Sequence, residues 1–142
     1  MEKLQAGAVC KPRGQDAVAV VQSDMPYFSL RTLSRKLGQL HFVVLSAQEQ
    51  LRGMVRVDDL ELPEDDPYLR NLILVTDLYI EEVEPIDAED NLHLAMEKLL
   101  DSGFDKLPVM RRDEQPVFLG YLMHQDILQA YDNEVERLNR EV

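Results

Sequence analysis

The sequence predicts a mixed α+β (α/β) fold built from two successive βαββα repeats related by pseudo-twofold symmetry. Three observations carry this reading. Short β-branched runs alternate with stretches in which apolar residues recur every three or four positions, so strands and helices interleave. The order strand, helix, strand, turn, strand, helix occurs twice along the chain. Each half, at roughly 62 residues, is small for a self-sufficient core, which predicts that the halves pack together.

Residues 1–16 read as a lead-in, with Lys11-Pro12-Arg13-Gly14 as loop. The first repeat, 17–62, opens on the strand Ala17–Val21, whose β-branched side chains suit a pleated surface. Leu30, Leu33 and Leu37 then fall at helical spacing, with Ser29 as N-cap and Gly38 as stop. Phe42–Leu45 is a strand, Ser46–Arg52 polar turn, Gly53-Met54-Val55 a further strand, and Asp58–Leu62 the opening of a short helix. The linker, 63–79, starts with the Pro-flanked acidic run Pro63-Glu64-Asp65-Asp66-Pro67. Asp66 can cap a helix whose first residue is Pro67, since a missing N–H costs nothing there, and Tyr68, Leu69, Leu72 and Ile73 give that helix one apolar face.

The second repeat, 80–132, opens on the strand Ile80–Ile86, broken by Pro85. Leu92, Ala95, Met96, Leu99 and Leu100 form a full apolar stripe, started by Asp90 or Asn91 and ended by Gly103. Leu107–Met110 and Val117–Leu122 are strands around the polar turn Arg111–Gln115. A last helix runs from Gln125 to about Glu141, with Ile127, Leu128, Tyr131, Val135 and Leu138 on one side; its end, 133–142, lies beyond the repeat.

The repeats align with stepped offsets. Val21, Leu30, Leu33 and Leu37 match Val83, Leu92, Ala95 and Leu99 at 62 residues. Val43 and Val44 match Pro108 and Val109 at 65, which implies a helix–strand connection three residues longer in the second copy. Gly53, Met54, Val55, Asp59 and Leu60 match Gly120, Tyr121, Leu122, Asp126 and Ile127 at 67, which implies a hairpin two residues longer. Both insertions fall in loops, where added length costs little.

Composition narrows the function. Among 142 residues, 27 acids stand against 15 bases, a formal charge of −12 that repels phosphate backbones, so nucleic acid is not an expected partner. The longest apolar run, Ala17–Val21, is far short of the roughly 20 residues that cross a bilayer, so no membrane insertion of this segment and no signal peptide is expected. The single Cys10 cannot form an internal disulfide, which fits a reducing cytosol. No Gly-rich phosphate loop, Gly-x-Ser-x-Gly or His-Glu-x-x-His motif occurs, and Cys10 has no histidine near it in sequence, so no enzyme is expected.

In the second copy, Asp90-Asn91-Leu92, Ala95, Gly103, Leu107-Pro108-Val109-Met110, Gly120-Tyr121-Leu122 and Asp126-Ile127-Leu128 together resemble a cystathionine-β-synthase (CBS) domain. Val43-Val44-Leu45, Gly53-Met54-Val55 and Asp59-Leu60 extend the resemblance to a tandem CBS pair over about residues 17–132. Leu69-Arg70-Asn71-Leu72-Ile73-Leu74-Val75-Thr76-Asp77-Leu78 and Asp126-Ile127-Leu128-Gln129-Ala130-Tyr131 are similar to the cytoplasmic C-terminal CBS pair of ClC chloride channels and transporters.

The resemblance implies a regulatory module at the cytoplasmic face of a membrane protein. Its partners are a second copy, as a homodimer, and the transmembrane channel or transporter domain of the same polypeptide. It also implies clefts that hold adenosine nucleotides (ATP, ADP or AMP) as ligands, with no cofactor required. Asp59 and Asp126 match the family's ribose-binding aspartate, a carboxylate able to accept from both ribose hydroxyls. The family's Ser or Thr three residues earlier is replaced by Arg56, which can pair with phosphate in bidentate fashion, and by Met123, which cannot hydrogen-bond usefully. Val20 and Val21 are expected along an adenine.

Plainer readings stand beside these. An aspartate that opens a helix caps free N–H groups, and capping alone explains Asp59 and Asp126. Asp58, Asp59, Glu61, Glu64, Asp65 and Asp66 offer hard oxygen ligands for Mg²⁺ or Ca²⁺ but read first as a solvated acidic linker without an EF-hand pattern. His93 and Glu97, at i and i+4, lack a third metal ligand nearby; His41 and His124 read as surface or half-buried residues. Met54, Met96, Met110 and Met123 read as core fillers. The expected function is therefore a cytosolic regulatory module of a chloride channel or H⁺/Cl⁻ exchanger that senses adenine nucleotides and dimerises. The alternatives are a structural dimerisation module without small ligand, or a Mg²⁺-sensing CBS module of another transport protein.

Overall fold

A computed structural model of the chain describes residues 4–12, 18–57 and 72–140. The chain divides into two units, one made of Ala19–Val83 and the other of Glu84–Val142 together with Met1–Val18. The N-terminal segment expected as a lead-in instead contributes a short helix, α1 (Ala6–Val9), and a strand, β1 (Lys11–Pro12), to the second of these.

In the Ala19–Val83 unit, β2 (Val20–Gln22) runs parallel to β3 (His41–Leu45), and β3 runs antiparallel to β4 (Leu51–Arg56), in the order β2-β3-β4. The helix α2 (Tyr27–Leu37) makes the crossover between the parallel strands. Phe42, Val43, Val44 and Leu45 are all fully buried, so both faces of β3 are covered and the strand reads as an unbroken apolar run. Ser29 is not the cap of α2: the helix begins two residues earlier, after Pro26, without a side-chain cap. Backbone partners explain why none is needed. The Tyr27 N–H donates to Ile73 O at 2.7 Å, and Pro26 forms a bridge with Leu74. Gly38, in the left-handed conformation at φ 65°, ends α2 as expected. The acidic cluster, Asp59, the Asp66 cap and the helix from Pro67 lie outside the described residues. Leu72 is exposed, and a single 3₁₀ turn, Val75–Asp77, follows.

In the other unit the order is β1-β7-β6-β5, with β5 (Ile86–Asp87) parallel to β6 (Lys106–Arg111) and β6 antiparallel to β7 (Val117–Met123). The helix α3 (Leu92–Ser102) crosses between β5 and β6. Of the two candidate caps it uses Asn91, whose side chain accepts from Leu94 N–H at 2.8 Å. Asp90 instead accepts from Lys98 Nζ at 2.7 Å. Leu92, Ala95 and Leu99 are buried but Leu100 is not, so the apolar stripe of α3 is narrower than expected. The last helix, α4 (His124–Arg140), buries Ile127 and leaves Leu128, Val135 and Leu138 exposed.

The expected strand Ile80–Ile86 does not exist as one element. Glu81 bridges to Met54 at the edge of β4, whereas Ile86–Asp87 opens the sheet of the other unit. Pro85, lacking an N–H, stands just before β5 where no ladder bond is required of it.

The two units repeat one topology, but with a simpler offset than the apolar pattern suggested. Tyr27, Leu30 and Ser34, the buried positions of α2, stand 65 residues before Leu92, Ala95 and Leu99 of α3. Val21 pairs with Val44 as Ile86 pairs with Val109, again 65 apart. One offset of 65 therefore holds from strand through helix to strand, and no three-residue insertion precedes β6. Both hairpins carry a register shift at the same place, after Val44 and after Val109. The offset becomes 67 at Gly53 and Gly120, which face Val44 and Val109.

Candidate functional site

The matched glycines mark where each sheet receives its closing segment, the strand β1 in one unit and the bridge at Glu81 in the other. At Gly120 a Cβ would stand 1.9 Å from Lys11 O, and at Gly53 a Cβ would stand 2.3 Å from Glu81 O. Positive φ angles of 157° and 145° accompany these approaches. Lys11 is in register with Tyr121, and Glu81 with Met54, so Lys11 and Glu81 are equivalent positions on the two closing segments. Arg56 and Met123 end the strands that carry these glycines, and Asp126 follows Met123 in α4.

In the second-repeat unit, Met123 ends β7 and Asp126 lies in the first turn of α4. The Asp126 Oδ2 accepts from the Met123 N–H at 2.9 Å, which satisfies a backbone donor that the helix leaves free. Its Oδ1 lies 3.4 Å from Lys11 Nζ, with the two side chains 16% and 35% exposed. The plain capping role of Asp126 is thus present in the structure, together with an ion pair that fixes the carboxylate's other oxygen. Cys10, half-buried next to Lys11, has its thiol pKa pushed above the ordinary range, first by burial and then by the negative charge of Asp126.

In the Ala19–Val83 unit, Arg56 is the last residue of β4, in register with His41. Val20 and Val21 lie in β2, in register with Val43 and Val44; Val21 is buried and Val20 half-buried. Val20 stands level with Val43 and Met54, two residues short of Arg56 at the end of β4. The single intervening strand separates their strands by about 10 Å. Asp59 lies outside the described residues.

Sequence reasoning missed Lys11, because the residue reaches Asp126 from a segment more than a hundred positions away. It also missed Lys106, the first residue of β6. That side chain is fully buried, with Nζ 2.8 Å from Asp105 Oδ1 and 5.8 Å from the centroid of the Tyr121 ring. Burial lowers its pKa, and Asp105 opposes the shift. His93 pairs with Glu97 at 3.0 Å, and no group of metal-ligating residues occurs among the described residues. Nor is any described helix long and apolar enough to cross a membrane.

Comparison with known proteins agrees with this architecture. Residues 75–133 match the CBS domain family. No curated protein matches the chain in sequence. The structure of CbpB in complex with c-di-AMP superposes with a TM-score of 0.77 at 18% identity, over 98% of this chain and 91% of that one. A CBS domain pair/ACT domain protein from Thermotoga maritima gives 0.72 at 18% identity, over 92% and 98%. CBSX2 in complex with AMP gives 0.71 at 22% identity, over 91% and 96%. Residues 75–133 thus match the CBS domain family in sequence, and the chain as a whole has the fold of a CBS-domain pair.

Proposed function

We propose that this chain is a regulatory module that binds an adenine nucleotide and passes its occupancy to an attached protein. Asp59 and Asp126 accept from ribose hydroxyls, Val20 and Val21 lie along the base, and Arg56 pairs with phosphate. The observation that carries this reading is the carboxylate of Asp126, anchored through Oδ2 to the Met123 N–H and largely shielded from water. A carboxylate oriented in advance loses little entropy on taking a diol. Two of the similar structures contain c-di-AMP and AMP, which supports the same ligand class here. Calorimetric titration with ATP, ADP and AMP tests it. Binding that falls about tenfold or more in Asp59→Asn or Asp126→Asn is expected from loss of charged hydrogen bonds. No heat and no thermal shift at millimolar nucleotide overturns the reading.

The host in this reading is a chloride channel or H⁺/Cl⁻ exchanger, with the module at its cytoplasmic face. It rests on the resemblance of Leu69–Leu78 and Asp126–Tyr131. The gene sequence around the encoded segment tests it: a run of apolar helices is expected upstream, and a host of another class removes it.

A second reading, a dimerisation module without small ligand, is favoured by α4. There Leu128, Val135 and Leu138 are 56%, 53% and 45% exposed on the side that also carries Tyr131. Light scattering that gives a dimer whose melting temperature ignores nucleotide selects it; a monomer removes it.

A further inference from the structure

The two closing segments carry opposite charges at one equivalent position, and the strand ends beside them differ in the complementary way. In the Ala19–Val83 unit the closing residue is Glu81 and the strand-end residue Arg56; in the other unit these are Lys11 and Met123. Each unit has one cation among the two positions, but on different elements.

We infer that Lys11 is the phosphate-binding residue of the second repeat, supplying from β1 the positive charge that Met123 cannot supply from β7. The inference rests on the nucleotide reading above and deepens it. Lys11 is held in place by its backbone: its carbonyl passes so close over Gly120 that no side chain fits between them. Its ammonium has three donors and lies 3.4 Å from Asp126 Oδ1 as an ion pair, while a third of the side chain remains open to water. A ribose on Asp126 therefore finds a cation beside it. That cation matters in a chain of net charge −12, where a nucleotide phosphate next to an isolated carboxylate is repelled.

The test uses the full chain in an Asp59→Asn background, so that the second repeat reports alone, and titrates AMP, adenosine and inorganic phosphate. In Lys11→Met, affinity for AMP is expected to fall about tenfold while affinity for adenosine stays unchanged. Lys11→Arg retains AMP binding, and Lys11→Met with Met123→Arg recovers it. Equal weakening of AMP and adenosine in Lys11→Met makes Lys11 a purely structural partner of Asp126 and overturns the inference, as does unchanged AMP binding. Inorganic phosphate that binds the parent as tightly as AMP makes this a plain anion site and overturns the nucleotide assignment. If the otherwise unaltered chain binds neither AMP nor adenosine, the nucleotide reading itself falls and the role of Lys11 with it; binding there without any dependence on Lys11 removes only the present inference.

Discussion

Two side chains of the second-repeat unit sit in environments that disfavour their ionised forms, and each makes a measurable difference. Burial and the charge of Asp126 both raise the pKa of Cys10 above 9.0, so its thiolate is scarce near neutral pH. Asp126→Asn removes one of the two causes. At pH 8.5 the rate of Cys10 modification by a thiol reagent is expected to rise about twofold or more, as the thiolate fraction grows; an unchanged rate means that Asp126 does not act on the thiol. Lys106 shows the opposite case of a base. Its ammonium is fully buried and its folded-state pKa lies below 10.5 because burial outweighs the help from Asp105. Below the folded pKa the protein carries the full cost of the buried charge. As pH rises from there to 10.5 the unfolded chain holds the proton and the folded one does not, so this cost is relieved. Lys106→Met keeps the length of the side chain and leaves Asp105 to water. It is expected to stabilise the protein at pH 7 by about 1 kcal/mol in denaturant unfolding, with the gain shrinking as pH rises towards 10.5. A loss of stability at pH 7 makes the contacts of Lys106 with Asp105 and Tyr121 worth more than its burial costs.

At the scale of the elements, the matched glycines are the joints of the architecture. Gly53→Ala and Gly120→Ala each force a Cβ into a backbone carbonyl that has no room to move without losing the closing segment. Each is expected to cost about 3 kcal/mol or more. Gly38→Ala, at φ 65° in open space, is expected to cost only about 1 kcal/mol. Hydrogen exchange in Gly120→Ala should show β1 and β7 losing protection while β2–β4 keep theirs; uniform loss removes the joint role. This pair of glycines was legible in the sequence, as were the strands around Phe42–Leu45 and Leu107–Met110, because local patterning decides them. The register of the first helix was not. A shift of three residues is close to one helical turn, so an offset of 62 places Leu30, Leu33 and Leu37 on an apolar stripe almost as well as the true offset of 65 places Tyr27, Leu30 and Ser34. Apolar periodicity cannot separate registers one turn apart. The stop glycines could have done so, since Gly38 and Gly103 stand 65 apart, each with positive φ. Of the candidate site, Asp126 was visible as the opening of a helix, but its ion pair with Lys11 is a long-range contact that no local window contains.

Across the whole chain, each unit's sheet is closed by a short segment outside its β2–β4 or β5–β7 run. The Ala19–Val83 unit is closed by the segment through Glu81, and the other unit by the N-terminal Lys11–Pro12, although most of that unit lies beyond residue 83. The boundary between the units therefore falls between Val83 and Glu84, inside a stretch that composition reads as one strand. Backbone bonds define it from both sides. Met54 and Glu81 exchange two bonds of 2.9 Å, and the Ala88 N–H donates to Met110 O at 2.9 Å, whereas Glu82 to Pro85 lie outside any ladder. Two residues inserted between Val83 and Glu84 lengthen a connection without moving any paired strand, so the melting temperature is expected to change by only about 2 °C or less. The same insertion between Ile80 and Glu81 shifts the closing segment against Gly53, and between Ile86 and Asp87 it breaks the register of β5 with Val109 and Met110. Either is expected to lower the melting temperature by about 10 °C or more, since the insertion displaces the paired residues and the side chains packed around them. Equal sensitivity at all three positions would place the boundary elsewhere and make 80–86 the single strand that its composition suggests.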